Sequence, residues 1–275
     1  MGTFGGSRSG NLEISAMYHF NDVTLLITHY NRSRSLERLL VAFSNLGCAF
    51  AEIVVSDDGS RPVHLDYIRG LADRFPMRII TSPVNGGLGN NLNKGQRAVK
   101  TRYTLYIQED FVPTAGAPLI LQQGLALLME HERFDMVRFY AYNRYPYLAP
   151  VKQGFSEMLF SPWYRGLGKF AYYSDHPHLR RSDFLDKFGP YAEGMSGDKT
   201  EFLMMMSFLR KRGKALFFEN HKAVFDQVNS ADEPSTMKRD FLRNSENPLV
   251  ATVRTGYRYV NYYFGYFFGK SLRLR

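Results

Sequence analysis

The sequence has almost no cysteine and no long apolar run. Cys48 is the only cysteine in 275 residues, which excludes an intrachain disulfide and a cysteine-based metal cluster. No run of about 18 consecutive apolar residues occurs, so we expect no transmembrane helix. The Gly- and Ser-rich residues 1–11 lack the apolar core of a signal peptide, and we expect a flexible tail over residues 1–20.

Acidic residues are missing from one end of the chain. The chain has 35 Lys and Arg against 26 Asp and Glu, which gives a net charge of +9. No Asp or Glu follows residue 250, where five basic residues lie: Arg254, Arg258, Lys270, Arg273 and Arg275. A basic excess attracts an anionic partner such as nucleic acid, a membrane surface or a phosphorylated substrate. Nucleic acid is the weakest of these, because the basic residues cluster only in this tail.

Short apolar runs rich in β-branched residues alternate with segments of helical spacing. Strands are predicted at residues 22–28, 51–56, 77–81, 103–108, 136–141, 215–218 and 223–228, helices at residues 36–46, 61–75, 90–100 and 117–131, and further ordered segments at residues 181–188 and 199–212. This alternation predicts an α/β fold with a mostly parallel central sheet flanked by helices. We assign one domain to residues 21–249, and we expect residues 142–170, which lack a period, to form an irregular functional loop.

Polar residues follow the ends of the first four predicted strands. They are residues 28–32, residues 57–60, a glycine-rich loop at residues 85–89, and the pair Glu109 and Asp110. Ligands of an open parallel sheet bind outside the carboxyl ends of its strands, so we expect these residues to share one site. Backbone N–H groups of a glycine-rich loop suit a diphosphate, and adjacent carboxylates suit Mg²⁺ or Mn²⁺. The ordinary alternatives are a tight turn and an exposed acidic loop.

In order and spacing, these motifs resemble the family 2 glycosyltransferases of the GT-A fold. They read Thr28-His29-Tyr30-Asn31-Arg32, Ser56-Asp57-Asp58-Gly59-Ser60, a glycine- and asparagine-rich run from Asn85 to Gly95, and Gln108-Glu109-Asp110. The resemblance is strong over the first half of the chain. It implies a single GT-A (Rossmann-like) domain that uses a nucleotide-diphosphate sugar, foremost a UDP-sugar. It also implies that the nucleotide is bound by Thr28, Tyr30, Asn31, Arg32, Asp57, Asp58, Gly86, Gly89, Asn93 and Glu109.

The resemblance further implies a divalent metal, Mn²⁺ or Mg²⁺, bound by Asp110 with Glu109 beside it. The sequence departs from the family pattern at two positions. Gln108 stands where the first acidic residue of a DxD-type motif is expected, and Gln227 stands where a late histidine is expected. His221 is the substitute we assign for that histidine. Since a neutral amide binds a cation weakly, metal dependence is in doubt.

A catalytic base is implied at the start of a late helix, where an acidic residue of inverting family members deprotonates the acceptor hydroxyl. Asp198 and Glu201 occupy these positions, and their spacing of three places both on one helix face. The alternative is that Asp198 caps the helix and Glu201 completes a capping box. We favour Asp198 as the base, and the two roles are compatible.

The aperiodic stretch is rich in aromatic residues and histidine. His176 and His178 either form a metal pair or, as we prefer, belong to a loop that lines the acceptor site. Trp163 and the tyrosines between residues 142 and 173 either stack on sugar rings or pack as a local core. We favour the local core for most of them.

The C-terminal segment, residues 250–275, combines aromatic and basic residues. Eight of the twelve residues 257–268 are aromatic, and five side chains share one helical face: Tyr259, Tyr262, Tyr263, Tyr266 and Phe267. Tyrosine and basic residues are favoured at a membrane interface, which we rank slightly ahead of docking on the domain body or on a second subunit in a homodimer.

The sequence therefore predicts a glycosyltransferase that moves a sugar from a nucleotide-diphosphate donor to a glycan or lipid-linked acceptor, with inversion, in cell-surface polysaccharide synthesis. We expect a cytoplasmic protein, peripheral at the inner face of the membrane. A rival hypothesis is a non-catalytic nucleotide-sugar or glycan-binding module, which Gln108 and Gln227 support. Binding of nucleic acid ranks last.

Overall fold

A computed structural model describes residues 18–229, 233 and 248–270, of which residues 248–254 are described by their backbone alone. Residues 1–17 of the predicted N-terminal tail lie outside the described residues. Arg273 and Arg275 of the C-terminal segment also lie outside them. Within the described part, no helix is both long enough and apolar enough to cross a membrane.

Within the described residues, nine strands form the main sheet and two form a small second sheet. In chain order the strands are β1 (Tyr18–His29), β2 (Cys48–Asp57), β3 (Arg78–Thr81), β4 (Tyr103–Gln108), β5 (Phe111–Pro113), β6 (Met136–Arg138), β7 (Leu148–Lys152), β8 (Phe155–Met158), β9 (His178–Arg181), β10 (Ala215–Phe218) and β11 (Phe225–Gln227). The main sheet has the order β3-β2-β1-β4-β9-β6-β10-β8-β7, and β11 pairs with β5.

In the same part of the chain, seven α-helices connect or flank these strands. They are α1 (Ser33–Asn45), α2 (Pro62–Leu71), α3 (Gly87–Ala98), α4 (Ala117–Glu130), α5 (Phe184–Phe188), α6 (Gly197–Arg210) and α7 (Pro248–Phe268). Helix α3 begins three residues earlier than the sequence predicted. The glycine-rich loop therefore supplies the first turn of that helix.

The first four strands of the main sheet are parallel, as the alternation of strands and helices predicted. Strand β1 lies between β2 and β4, and its Leu25, Leu26 and Ile27 are all fully buried. Consecutive residues of a strand point to opposite faces, so burial of all three means that both faces of the sheet are covered. The predicted α/β fold with a mostly parallel sheet flanked by helices is confirmed.

Two structural predictions for the second half were wrong. Residues 148–158, predicted to be irregular, form the hairpin β7–β8 at the sheet edge. Gln153 and Gly154 make its turn with φ values of 52° and 80°, the left-handed conformations of a type I′ turn. His178, predicted in a loop, begins strand β9, which runs antiparallel between β4 and β6. Its ring is fully buried against Tyr106.

The two faces of the main sheet carry separate hydrophobic cores. Helices α1, α2 and α4 pack on one face through side chains such as Leu39, Ile68 and Leu128. Helices α3, α5, α6 and α7 pack on the other face, where Phe208 of α6 contacts Tyr172, Tyr173, Phe184 and Phe188. The second face is therefore held mainly by aromatic rings.

Helix α7 packs on the domain body through one side only. Tyr262 stacks on Phe170, and Tyr266 contacts Phe160. A Cβ added at Gly265 would lie 2.7 Å from the ring of Phe202, so glycine permits the close approach of α7 to α6. The five aromatic residues predicted to share a face are divided, because Tyr259 and Phe267 are exposed.

Candidate functional site

The carboxyl ends of β1, β2 and β4 meet at one edge of the sheet. In the strand register, Thr28 lies between Ser56 of β2 and Gln108 of β4. This register brings the three polar segments that follow these strands together, as the sequence predicted. Thr28 is buried, and its Oγ1 lies 3.1 Å from the hydroxyl of Tyr106.

Asp57, at the end of β2, is a buried hydrogen-bond centre. Its carboxylate accepts hydrogen bonds from the side chains of His29, Ser60 and Thr81, at 2.7, 2.5 and 2.9 Å, and from the backbone N–H groups of Gly59 and Ser60. Burial by itself would raise the pKa of Asp57, but these hydrogen bonds hold it well below the usual range of an aspartate. This carboxylate therefore organises the loop between β2 and α2.

Asn31 joins the loop after β1 to the loop after β2. Its backbone N–H donates to Ser60 Oγ at 2.8 Å, and its Oδ1 accepts from the N–H of Arg61 at 2.8 Å. Its φ of 55° is left-handed, which asparagine tolerates better than most residues. Tyr30 is left half-buried at the rim of the site, where its ring is accessible to a ligand.

Asp58 holds the start of helix α3. Its two carboxylate oxygens accept the backbone N–H groups of Gly86 and Gly87, each at 2.9 Å. Burial raises the pKa of Asp58, while these two hydrogen bonds and the charge of Lys94 act in the opposite direction. The glycine N–H groups that the sequence suggested for a diphosphate thus have a protein acceptor. Asp58 and Gly86 take part together in shaping this corner of the site.

Helix α3 also positions the loop of residues 191–193. Asn93 Nδ2 donates to the carbonyl of Tyr191 at 2.9 Å, and its Oδ1 accepts the N–H of Tyr191 at the same distance. A Cβ at Gly89 would lie 2.2 Å from the carbonyl oxygen of Ala192, so only glycine allows this contact. Asn93 and Gly89 therefore link the nucleotide-side helix to the segment that precedes α6.

The acidic residues of α6 lie beyond this loop. Thr200 Oγ1 donates to the carbonyl of Ala192 at 3.0 Å and fixes the first turn of the helix. Asp198 is exposed in that turn, and Glu201 is half-buried. Burial lowers the pKa of Arg138 to about 10, and the charge of Glu201 opposes that shift, which places Glu201 near the end of β6. The helix begins at Gly197 with Ser196 as its N-cap, so Asp198 does not cap it.

Glu109 and Asp110 lie side by side after β4 and are both nearly buried. Arg32 faces them, with its Nη1 3.3 Å from Asp110 Oδ2 and 3.7 Å from Glu109 Oε1. Burial and the adjacent Asp110 raise the pKa of Glu109 to about 8, against the effect of Arg32. The negative charge of the pair is thus compensated by the guanidinium group of Arg32.

The residues around Asp110 are poor metal ligands. Gln227 Nε2 donates to Asp110 Oδ2 at 3.0 Å, and Gln227 Oε1 accepts from the hydroxyl of Tyr142 at 2.9 Å. His221, which follows β10, packs against the ring of Phe217 in that strand. Across residues 18–229, 233 and 248–270, no group of three His, Cys, Asp or Glu side chains is arranged to hold a metal ion. In this described part, Asp110 Oδ1 is buried without a hydrogen-bond partner.

Two contributors to the site, His29 and Asn229, were not singled out in the sequence, and a third, Tyr142, was considered only among the tyrosines of the aperiodic stretch. His29 bonds Asp57, and Asn229 Oδ1 accepts a hydrogen bond from Arg32 Nη2 at 2.9 Å. Tyr142, 57% exposed, packs edge-on against His176 and bonds Gln227. Because these contacts join distant segments of the chain, no local sequence pattern predicts them. Most of the other tyrosines between residues 142 and 173 are buried in the core, as predicted, whereas Trp163 is 81% exposed.

Comparison with known proteins identifies a family from the sequence and a shared fold from solved structures. A family model described as glycosyl transferase family 2 matches residues 24–182, more than half of the chain. No curated protein matches the sequence. The family match confirms the resemblance drawn from the motifs after β1, β2 and β4.

Several solved structures share the fold at low sequence identity. Residues 1–349 of Staphylococcus aureus TarS, in complex with UDP-GlcNAc, superpose with a TM-score of 0.57 at 15% identity, over 89% of this chain and 73% of that one. The Pyrobaculum calidifontis mannosyltransferase PcManGT, in complex with GDP-Man and Mn²⁺, gives a TM-score of 0.56 at 12% identity, over 92% and 66%. The chain spans 44% of a longer TarS structure. These similarities support the GT-A fold.

Proposed function

The chain belongs to glycosyl transferase family 2, and from this premise we propose that it transfers a sugar from a nucleotide-diphosphate donor to a hydroxyl group, with inversion at the anomeric carbon. The observation that carries the proposal is the convergence of β1, β2 and β4 at one edge. Thr28, Tyr30 and the Glu109–Asp110 pair meet there. TarS and PcManGT were solved with UDP-GlcNAc and GDP-Man, which supports a nucleotide-sugar donor of the same class.

The nucleotide binds across the ends of β1 and β2 in this proposal. Tyr30 offers a half-exposed aromatic ring for the base, and Asn31 and Asp58 hold the loops on either side of it. Because Asp57 is saturated by protein donors, it acts by keeping the β2–α2 loop in shape. Asp110 Oδ1 accepts a hydroxyl of the donor, since it is a buried acceptor without a protein partner among the described residues.

Asp198 acts as the general base in this proposal. It is exposed in the first turn of α6, where it can meet an acceptor hydroxyl, and a base must come within about 3 Å of the proton it removes. The charge of Glu201 instead acts on the buried Arg138. Hydrogen bonds from Asn93 to Tyr191 and from Thr200 to Ala192 tie the first turn of α6, which carries Asp198, to helix α3.

The Mn²⁺ or Mg²⁺ expected from the resemblance is the least supported part of the proposal. PcManGT and a mycobacterial glucosyl-3-phosphoglycerate synthase were solved with Mn²⁺; the latter superposes with a TM-score of 0.50 at 13% identity, over 90% of this chain and 80% of that one. In this chain, Gln227 and Arg32 both contact the second oxygen of Asp110. We therefore assign no step of the reaction to a metal ion.

A membrane surface is the proposed location of the acceptor, which would be a glycan or lipid-linked glycan of a cell-surface polysaccharide. The outer side of α7 exposes Val260, Phe267 and Phe268 at 60, 53 and 64%. Arg258 of this helix and Lys270, two residues beyond its end, are exposed as well. Aromatic and basic side chains together suit the interface of an anionic bilayer, at the cytoplasmic face in this proposal.

Nucleotide release from a panel of UDP- and GDP-sugars tests the proposed activity. We expect release with at least one donor, and a loss of about 10²–10⁴-fold in kcat for Asp198→Asn, the usual contribution of a general base. Donor binding should be unchanged in this variant. A folded protein that binds nucleotide without releasing it from any sugar would instead favour the rival hypothesis of a binding module.

Vesicle co-sedimentation tests the membrane proposal. Phosphatidylglycerol vesicles should retain the chain more strongly than phosphatidylcholine vesicles, and the double variant Phe267→Ser/Phe268→Ser should abolish the difference. Trp163→Ser is the matched control, because Trp163 is an exposed aromatic residue outside α7. Equal retention of the double variant and the parent would remove the membrane surface from the proposal.

A further inference from the structure

We infer that Arg32 is the built-in cation of the donor site, so that a nucleoside diphosphate binds this chain without a divalent metal. The inference rests on the proposed function and specifies how the same site recognises its donor. It starts from a charge arrangement that the family pattern alone does not predict. Gln108 and Gln227 raised doubt about a metal, and the contacts of Arg32 indicate what takes its place.

Arg32 is fixed in the position of a counter-ion. Its side chain is 7% exposed, and Nη1 lies 3.3 Å from Asp110 Oδ2 and 3.7 Å from Glu109 Oε1. On the other side, Nη2 donates to Asn229 Oδ1 at 2.9 Å. A guanidinium keeps its charge at every physiological pH, and buried carboxylates require such compensation. Arg32 therefore supplies positive charge to the acidic pair permanently.

Gln227 reinforces this arrangement from the opposite side. Antiparallel pairing of β11 with β5 places Gln227 opposite Phe111, the residue after Asp110. Its Nε2–H donates to Asp110 Oδ2, and its carbonyl oxygen accepts from Tyr142. The group that faces the carboxylate is thus the amide N–H, whereas the amide oxygen, the atom that could ligate a cation, is bonded to Tyr142. Mg²⁺ is usually held by one or two carboxylates together with substrate phosphates and water. Here Arg32 and Gln227 already contact one of the two oxygens of Asp110.

Two polar atoms at this site have no partner within the described residues. Arg32 Nε is a buried N–H donor, and Asp110 Oδ1 is a buried carboxylate acceptor. Buried polar groups are nearly always paired, so the two atoms together indicate the ligand that satisfies them. It carries an anionic oxygen for Arg32 and a hydroxyl for Asp110. A nucleoside diphosphate carries both, on its phosphates and its ribose.

Calorimetric titration of the full chain with UDP, and in parallel with GDP, tests the inference. We expect the Kd of the binding nucleotide to be unchanged between buffer with EDTA and buffer with Mn²⁺. Arg32→Gln should weaken binding by about tenfold or more in both buffers, the effect of losing one charge-assisted hydrogen bond. Arg34→Gln is the matched control, because Arg34 lies two positions along the chain from Arg32, is 71% exposed, and is paired with Glu37 on the surface. It should leave Kd unchanged.

Two further variants keep the test decisive if Arg32→Gln does not fold. Asn229→Ala retains the guanidinium but removes its anchor, and it should weaken UDP binding without unfolding the protein. Gln227→His replaces the amide donor with a metal ligand, and it should make UDP binding stronger in Mn²⁺ than in EDTA. Thermal melting of each variant verifies the fold.

The possible failures are distinguishable. If the parent chain binds UDP or GDP only when Mn²⁺ or Mg²⁺ is present, the inference is overturned while the proposed function stands. If neither nucleotide binds with metal or with EDTA, the proposed function itself fails, and the inference with it. Tight metal-free binding that Arg32→Gln leaves unchanged would also overturn the assignment of Arg32.

Discussion

The polar edge of the main sheet and its aromatic face are stabilised by different chemistry. At the edge formed by β1, β2 and β4, buried carboxylates are paired with hydroxyl, imidazole, amide and guanidinium groups, as at Asp57 and Asp110. On the face under α6 and α7, contacts between aromatic rings predominate, as around Phe208. The stability of the first region depends on the charge state and orientation of each polar group. The stability of the second depends on how the shapes of the aromatic rings fit together. Substitutions should therefore act through different physical terms in the two regions.

Removal of the Asp57 carboxylate should have the largest effect on stability. Asp57→Ala leaves the side chains of His29, Ser60 and Thr81 and two backbone N–H groups without their buried acceptor. We expect a loss of about 3–5 kcal/mol in the free energy of unfolding, measured by urea denaturation. Asp66→Ala, which removes a surface ion pair with Arg69, should cost less than about 1 kcal/mol. Equal losses would show that Asp57 carries no special role.

Asp175 should titrate in the opposite sense to Asp57. It lies buried on the aromatic face, where burial raises its pKa to about 6 against the hydrogen bond from Tyr173 and the charge of Arg180. A carboxyl whose folded-state pKa is raised stabilises the protein below its unfolded pKa, and that stability is lost as the pH rises from about 4 to about 6. The loss should be roughly 2–3 kcal/mol, at about 1.4 kcal/mol per pKa unit.

Urea denaturation between pH 4 and pH 7 measures this effect. Asp175→Asn should make the decline in stability between pH 4 and pH 6 shallower and leave the part that comes from the raised pKa of Glu109, and the exposed Asp66→Asn should leave the whole decline in place. Asp57, whose pKa is lowered, contributes the opposite slope at lower pH, because its stabilisation is lost as the pH falls. A parent profile that rises from pH 4 to pH 6, with no change in Asp175→Asn, would contradict the prediction.

Gly89→Ala tests the contact between α3 and the loop before α6. Its Cβ would lie 2.2 Å from the backbone oxygen of Ala192, which cannot move without displacing the loop. We expect a loss of about 2 kcal/mol in stability, typical of overpacking, together with a lower kcat through displacement of Asp198. At Gly70 of α2 a Cβ meets nothing within 4 Å, so Gly70→Ala should stabilise the protein by about 0.5–1 kcal/mol.

Tyr263→Phe should give the smallest effect, on the aromatic face. Lys169 is 1% exposed, and its ammonium group donates to the carbonyls of Pro162 and Tyr164 and to the hydroxyl of Tyr263. Loss of the Tyr263 hydroxyl leaves one ammonium proton unpaired and should cost about 1.5 kcal/mol in thermal or urea unfolding. Tyr259→Phe, an exposed change on the same helix, should be neutral, and a neutral Tyr263→Phe would mean that water replaces the hydroxyl.

Sequence periodicity predicted the parallel half of the fold better than the rest. Buried parallel strands such as β1 are short apolar runs, and helices such as α1 repeat every third or fourth residue, so both are visible locally. Strand β9 and the hairpin β7–β8 were missed because their aromatic and polar residues show no alternation. In β8, for example, the polar Ser156 and Glu157 are as buried as Phe155. Their place is set by neighbouring strands, which a local pattern does not contain.

By itself, the sequence determined the family, the order of strands and helices in the first half, and the edge at which the polar residues gather. The physical reason is that parallel strands present their carboxyl ends together, whatever side chains follow them. Only the tertiary structure decided what those side chains contact. Asp57 and Asp58 bind protein donors, and Arg32 reaches Asn229, 197 positions away in the chain. Hydrogen bonds depend on distance and direction in space, and spacing along a chain encodes neither of these for distant residues.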